Sequence, residues 1–116
     1  MSTDVSRLLE EGNLAFTAKK YEQALMAYER ALERSPDDPV VLNKIGIAYY
    51  KLRKFPEAID NLLKALTLKP NDKDLLNTLG LVYAKSGDRQ KALSICERLR
   101  KIHPEKGEAL YKAIYE

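Results

Sequence analysis

Few side chains in this sequence are suited to bond-making chemistry, and they are far apart. Cys96 and His103 are the only residues of their types. A thiolate beside an imidazole could serve as nucleophile and base. Seven helical positions, however, separate the two by about 10 Å at ~1.5 Å rise per residue. One cysteine and one histidine do not supply the usual ligands of a zinc site. No glycine-rich phosphate loop is present, and the carboxylates scatter along the chain. The expectation is therefore no enzyme, no cofactor, no metal and no small-molecule substrate. Cys96 reads as a small buried hydrophobe, and His103, next to Pro104, as a surface residue at a helix exit.

Other residues are better suited to holding a polypeptide. Asn43 and Asn77 are 34 positions apart, and Asn13 lies near the same register. An asparagine amide donates and accepts, so it can hold the backbone of an extended peptide whatever that peptide's side chains. Lys51 and Lys85 share the same spacing and could meet acidic side chains, although lysines near helix ends also complement the helix dipole without any ligand. Arg89, Lys91, Arg98, Arg100 and Lys101 form a basic cluster that could contact phosphates. A solvated helix face accounts for the cluster more simply, so nucleic acid is disfavoured as a partner.

The period of 34 runs through the whole chain. Pro36, Pro70 and Pro104 repeat it, as do Gly12, Gly46 and Gly80, and Ala24, Ala58 and Ala92. A repeat carried by three residue types is a structural unit. Within each unit the apolar spacing is helical. Leu42, Ile45, Gly46 and Tyr49 fall at i, i+3, i+4 and i+7, and so do Leu76, Leu79, Gly80 and Tyr83. A second apolar set, Phe55, Ala58, Ile59, Leu62, Leu63, Ala65 and Leu66, makes a second helix. Asp38-Pro39 and Asn71-Asp72 offer N-cap oxygens, Pro56 suits a helix start, and Gly87-Asp88 offers a turn and a cap. Helices are predicted at about 5–18, 21–34, 39–51, 55–68, 73–86, 89–102 and 106–115. The glycines of each first helix should face the alanines of its second helix, where the small side chains allow close approach. Ala31 and Ala65 should let the next unit dock.

These residues resemble the tetratricopeptide repeat. Leu8, Leu42 and Leu76 stand at its aromatic opening position, Ile45-Gly46 and Leu79-Gly80 at its Leu-Gly pair, and Tyr49 and Tyr83 at its tyrosine. The first unit departs with Glu11 and Ala15 at the Leu and Tyr positions. The third has Arg89 where the others have Tyr21 and Phe55, and Cys96, Leu99 and Arg100 where the second has Leu62, Ala65 and Leu66, which predicts looser packing there. The resemblance implies an all-α, right-handed superhelical solenoid. It would be a single domain over 1–116, with repeats at about 5–38, 39–72 and 73–106 and a capping helix at 107–116. Leu110, Ala113 and Ile114 would cover the apolar end of the third repeat.

The resemblance also implies a binding face on the first helix of each unit. Helical arithmetic assigns it Leu9, Asn13 and Phe16, then Asn43, Ile47, Tyr50 and Lys51, then Asn77, Leu81 and Lys85. Ser6, Thr17, Val40, Asp74 and Ala84 lie alongside. Leu9, Phe16, Ile47, Tyr50 and Leu81 would be exposed together, and such a patch marks a contact site. Phe16 could instead fill the gap beside Ala15, and Ile47 and Tyr50 could pack on neighbouring helices. Co-chaperone members of the family hold acidic chaperone tails through five residues. The matching positions here are Leu9, Asn13, Lys44, Asp74 and Thr78. Only Asn13 agrees with that pattern, and Asp74 would repel a carboxylate.

The expected function is a protein-interaction module, a scaffold or adaptor that binds a partner's peptide segment in a groove. A homo-oligomer assembled through the terminal helices is the alternative. Hydrophobic residues at 45% and charged residues at 32% fit a folded chain rather than a disordered one. No apolar run approaches the ~20 residues of a membrane span. The start, Met1-Ser2-Thr3-Asp4, lacks a signal-like apolar stretch, and a lone cysteine suits a reducing compartment, so a cytoplasmic location is expected. The net charge of +3 is unevenly placed: Lys/Arg against Asp/Glu number five to seven in residues 5–38, six to three in 39–72 and eight to four in 73–106. This gradient could steer an elongated partner.

Overall fold

A computed structural model describes residues 2–116, leaving Met1 outside. Among the described residues the structure is helical throughout: α1 (Ser2–Thr17), α2 (Tyr21–Arg34), α3 (Pro39–Lys51), α4 (Phe55–Leu68), α5 (Lys73–Lys85), α6 (Arg89–Ile102) and α7 (Pro104–Tyr115). Consecutive helices pack as antiparallel hairpins α1/α2, α3/α4 and α5/α6. Each hairpin docks its second helix on the next first helix, and α7 closes on both α5 and α6.

The helix starts follow local chemistry. Asp38 caps α3 by accepting from the Val40 N–H at 2.9 Å, with Pro39 at the first position. Asp72 caps α5 through the N–H groups of Asp74 and Leu75, at 2.9 and 3.0 Å. Asp88 caps α6 through the Lys91 N–H at 3.1 Å. These bonds satisfy donors that a helix start otherwise leaves open. α7 departs from the sequence expectation by beginning at Pro104, not at 106. His103 ends α6 and starts α7 at once, its Nδ1 accepting from the Lys106 N–H at 3.2 Å. It is therefore a half-buried cap, not simply a surface residue.

The hairpin turns repeat more strictly than their residues do. Lys19 and Arg53 adopt φ of 61° and 60°, and Gly87 has φ of 93°. Each is 34 positions from the next. In each turn the N–H of the following residue donates to the carbonyl five residues earlier: Lys20 to Ala15 at 2.8 Å, Lys54 to Tyr49 at 2.9 Å and Asp88 to Tyr83 at 2.9 Å. This is the Schellman helix ending, whose left-handed position favours glycine. Lysine and arginine there carry a steric cost from Cβ. Lys19→Gly is accordingly expected to raise unfolding stability by about 0.5–1 kcal/mol. Urea titration is the check, and a loss of stability would show that the Lys19 turn is not strained.

Two apolar clusters share the interior. One joins Leu8, Ala24, Tyr28, Ala31, Val41, Ile45 and Ala48. The other runs from Leu42 through Leu62, Leu76, Leu79 and Leu99 to Leu110 and Ile114. Ala24, Ala58 and Ala92 are fully buried, and Gly46 does meet Ala58, but the nearest group to each glycine is another residue. A Cβ at Gly46 would lie 2.8 Å from Leu62 Cγ and 3.4 Å from the Ala58 carbonyl oxygen. At Gly12 it would strike the Tyr28 ring, and at Gly80 it would lie 2.5 Å from Leu110 Cδ2. A helical side chain leans toward its helix N-terminus and covers the preceding turn. The residue one turn beyond the alanine therefore fills the space over the glycine.

That residue is Tyr28 in the first hairpin, Leu62 in the second and Cys96 in the third. Cysteine is the shortest of the three, and over Gly80 the space is taken by Leu110 of α7. The last hairpin is consequently not loose: Ala92 and Leu99 are fully buried and Cys96 is 2% exposed. A similar exchange occurs at the hairpin bases. Phe16 meets Tyr21 edge-on at 5.2 Å and Tyr50 meets Phe55 at 6.2 Å. Ala84 and Arg89 replace this pair in the third unit, and the Arg89 guanidinium lies 5.0 Å from the Tyr115 ring centre of α7.

Candidate peptide-binding clefts

A cleft of about 200 Å³ opens where α1, α2 and α3 meet, lined by Asn13, Phe16, Thr17, Tyr28, Lys44 and Ile47. The Tyr28 hydroxyl donates to Asn13 Oδ1 at 2.6 Å. Burial pushes the Tyr28 pKa up, which keeps the hydroxyl protonated as a donor. Lys44 Nζ stands 5.9 Å from the Tyr28 ring centre. Lys44 is half-buried and, among the described residues, forms no ion pair. The cleft thus combines two apolar walls, Phe16 and Ile47, with an aromatic ring, an amide and an uncompensated cation.

Asn43 occupies a separate depression. Pro39, Val40, Lys69, Asp72, Asp74 and Leu75 surround it in a volume of about 170 Å³. The Asn43 side-chain oxygen is buried beside it without a hydrogen-bond partner. Asn77 is half-buried on α5 and lines neither cleft.

The sequence-predicted face is therefore divided. Asn13, Phe16 and Ile47 come together in the first cleft. Leu9 packs on the first apolar cluster, while Tyr50 and Leu81 pack on the second. Leu9, Phe16, Ile47, Tyr50 and Leu81 are half-buried rather than openly exposed. Lys51 lies 5.9 Å from the Tyr50 ring centre, and Lys85 is exposed on α5. Lys44 and Tyr28 are the cleft residues that sequence reasoning left off this face. The signal for Tyr28 was its 34-residue spacing to Leu62 and Cys96, which marks it as the residue reaching over a glycine.

The five positions that match the family's chaperone-tail contacts are engaged otherwise. Leu9 is packed, Asn13 holds Tyr28, and Lys44 stands over the Tyr28 ring. Asp74 lies 3.8 Å from Lys106, and Thr78 donates to the Asp74 carbonyl at 2.9 Å. The basic cluster of the last hairpin is also partly occupied. Arg98 donates to the Pro70 carbonyl at 2.9 Å, Arg100 to Glu108 at 2.9 Å, and Lys91 sits 3.8 Å from Asp88.

Cys96 lines a third cleft, between α6 and α7. Its Sγ donates to the Gly107 carbonyl at 3.2 Å, and burial pushes its pKa up. Both effects hold it as a thiol, the less nucleophilic form.

A family model for the tetratricopeptide repeat matches residues 9–73 and again 43–107. The chain belongs to the tetratricopeptide-repeat family. The two matches overlap and are offset by 34 residues, one repeat. Solved tetratricopeptide structures superpose closely. The first such domain of Spaghetti (RPAP3), bound to the HSP90 peptide SRMEEVD, is 25% identical, with a TM-score of 0.87, covering 97% of this chain and 92% of that one. The TPR2B domain of yeast Sti1 in its Hsp70 complex is 23% identical, with a TM-score of 0.89 and 97% of both chains covered. The second domain of human RPAP3, with the HSP70 peptide SGPTIEEVD, is 20% identical, with a TM-score of 0.88, covering 99% of this chain and 98% of that one. No match was found among curated protein sequences. No helix among the described residues of this tetratricopeptide chain is long and apolar enough to cross a membrane.

Proposed function

We propose that this chain is a protein-interaction module, acting as a scaffold or adaptor, that holds a peptide segment of a partner protein along the first helices of its repeats. The observation that carries this reading is Lys44, a half-buried cation without an acidic partner among the described residues, set over an apolar cleft. A half-buried cation gains from a carboxylate supplied by a ligand. The cleft therefore suits a peptide that presents an acidic group next to an apolar side chain. Phe16 and Ile47 would receive the apolar group, and Asn43 and Asn77 would hold ligand backbone further along. Lys51 and Lys85 would meet acidic side chains toward the helix ends.

Two of the similar structures carry peptides ending in EEVD. Asp74 and Thr78 stand where such a tail would need cations, so the ligand is expected to have a different charge pattern. The lone cysteine favours a reducing compartment such as the cytoplasm.

Selection of peptides from a displayed random library on the immobilised protein tests the reading. Recovered peptides should carry a carboxylate beside an apolar residue and bind at about micromolar affinity, because a flexible ligand loses entropy in a short groove. Lys44→Glu should weaken them by about tenfold or more, and Tyr50→Ala should weaken those that extend along α3. The peptide SRMEEVD should bind no better than a scrambled control. Selected peptides that bind Lys44→Glu and Ile47→Asp as tightly as the parent, but are lost on changing Arg98 and Lys101, would move the site to the basic hairpin.

A further inference from the structure

Asn13 can meet a ligand in two ways. Its amide carries an oxygen that accepts and an NH2 group that donates, and the side chain is exposed on α1. An amide free in solvent turns whichever end the ligand requires. Here a buried neighbour decides. The Tyr28 hydroxyl, arriving from α2, lies 2.6 Å from Asn13 Oδ1. Tyr28 is almost wholly buried, and its ring fills the space over Gly12, so the hydroxyl has a fixed place. Burial also pushes the Tyr28 pKa up, which keeps the proton that makes this bond.

Turning the amide over would bring Nδ2 to the hydroxyl, and the hydroxyl proton would lose its acceptor. Of the other side chains lining the cleft, Lys44 has donors only and Phe16 and Ile47 have neither donor nor acceptor. Only the exposed Thr17 hydroxyl could stand in. With Oδ1 engaged, Asn13 shows the cleft its NH2 group, and Lys44 adds an ammonium. The polar side of the cleft is thus built mainly of donors. A carboxylate accepts at both oxygens. A carboxamide of the same shape has one oxygen to offer and must set its own NH2 group against that of Asn13. Leaving such groups unpaired costs more than a formed hydrogen bond gains.

We infer that Tyr28 is a positioning residue: it fixes Asn13 as a donor, so that the cleft between α1, α2 and α3 takes a carboxylate and rejects the matching carboxamide. This selectivity rests on the peptide-binding reading above and stands only if the cleft binds peptide. The charge of Lys44 favours a carboxylate without help from Tyr28, so variants must separate the two contributions.

The probes are synthetic peptides in pairs that differ only in a carboxylate for a carboxamide. One set has Asp or Asn beside a central leucine. The other has a free or an amidated end after a terminal leucine. The first set reports a side-chain carboxylate and the second a terminal one. Flanking residues are varied across an array, and affinities are compared for the parent, Tyr28→Phe and Lys44→Met, with circular dichroism confirming that each is folded. In the parent the carboxylate member should bind about tenfold or more tighter. Lys44→Met should weaken the carboxylate member and leave its carboxamide twin nearly unchanged. Tyr28→Phe keeps the ring but releases Asn13. The carboxamide member should then gain, and the ratio should shrink by about threefold or more. In an Asn13→Ala background the same change should no longer alter the ratio. If Tyr28→Phe weakens both members alike, or still alters the ratio once Asn13 is alanine, Tyr28 does not act through Asn13 and the inference is overturned. The loss in Lys44→Met would then still uphold the peptide reading. Binding that ignores Lys44→Met and Tyr28→Phe together overturns both.

Discussion

Tyr28→Ala is expected to cost about 3–5 kcal/mol of stability, the range for truncating a large buried ring. Tyr28 is 2% exposed, and its ring lies directly over Gly12, where a Cβ would come within 2.5 Å of Cδ1. Glycine offers nothing to refill the space, so truncation leaves a cavity between α1 and α2 that the helices close only in part. The change also removes the ring beneath Lys44 and the donor to Asn13. Two further variants separate these contributions. Tyr28→Phe keeps the ring and loses one hydrogen bond to an exposed asparagine, worth about 1 kcal/mol. Tyr28→Leu installs the solution of the second hairpin, where Leu62 covers Gly46, and should fall between the other two. Urea unfolding of the three variants is the measurement. An alanine variant no less stable than the phenylalanine variant would mean that the ring contributes little to the hairpin.

The sequence pattern located positions well and their neighbours less well. Periodicity, Asp38-Pro39, Asp72 and Gly87-Asp88 placed the ends of α2 to α6 within a residue, because caps and turns are local chemistry. At α7 the period itself misled. Pro104 is in register with Pro36 and Pro70, which lie in loops, yet His103 captures the Lys106 N–H and makes Pro104 the first residue of a helix. α1 extends back to Ser2, with Asp4 in its first turn paired to Arg34 at 2.7 Å. The strained turns at Lys19 and Arg53 were visible only through their register with Gly87.

The binding face shows the same division. Helical arithmetic gives the angle of a side chain around its own helix, not the reach of a side chain arriving from another helix. It grouped Asn13 with Asn43, but Tyr28 comes up from α2 to engage Asn13, while the loop between α4 and α5 walls Asn43 into its own depression. It exposed Phe16 and Tyr50, but Tyr21 and Phe55 from the following helices cover one side of each ring. The third unit was read as weak because Cys96 and Arg89 replace larger apolar residues. A comparison within the period could not anticipate that Leu110 and Tyr115 of α7 would occupy those places.

Gly107→Ala tests how α7 closes the molecule, with an expected loss of about 2–3 kcal/mol from overpacking. Intrinsic helix propensity argues the other way, since alanine gains about 1 kcal/mol over glycine inside a helix. The deciding factor is what the new Cβ would meet. It would lie 2.6 Å from Arg100 Cα and 2.8 Å from Arg100 N, which is backbone of α6 and has no rotamer to change. The two helices are also pinned together nearby. The His103 N–H donates to the Leu99 carbonyl at 2.7 Å, His103 Nδ1 caps α7, and Cys96 Sγ donates to the Gly107 carbonyl at 3.2 Å. Relief requires α7 to move away from α6, taking Leu110 and Ile114 out of the core they seal. Gly80→Ala is the control. Its nearest neighbour would be Leu110 Cδ2 at 2.5 Å, the tip of a flexible side chain that can turn aside, so a loss of about 1 kcal/mol or less is expected. Cys96 reports the mechanism as well as the stability. In the parent its buried thiol should react with a thiol reagent only on unfolding, whereas displacement of α7 in Gly107→Ala should expose it under native conditions. A Gly107→Ala protein as stable as the parent, with Cys96 still protected, would show that α7 is free to shift without cost and that the close contact with Arg100 does not hold it in place.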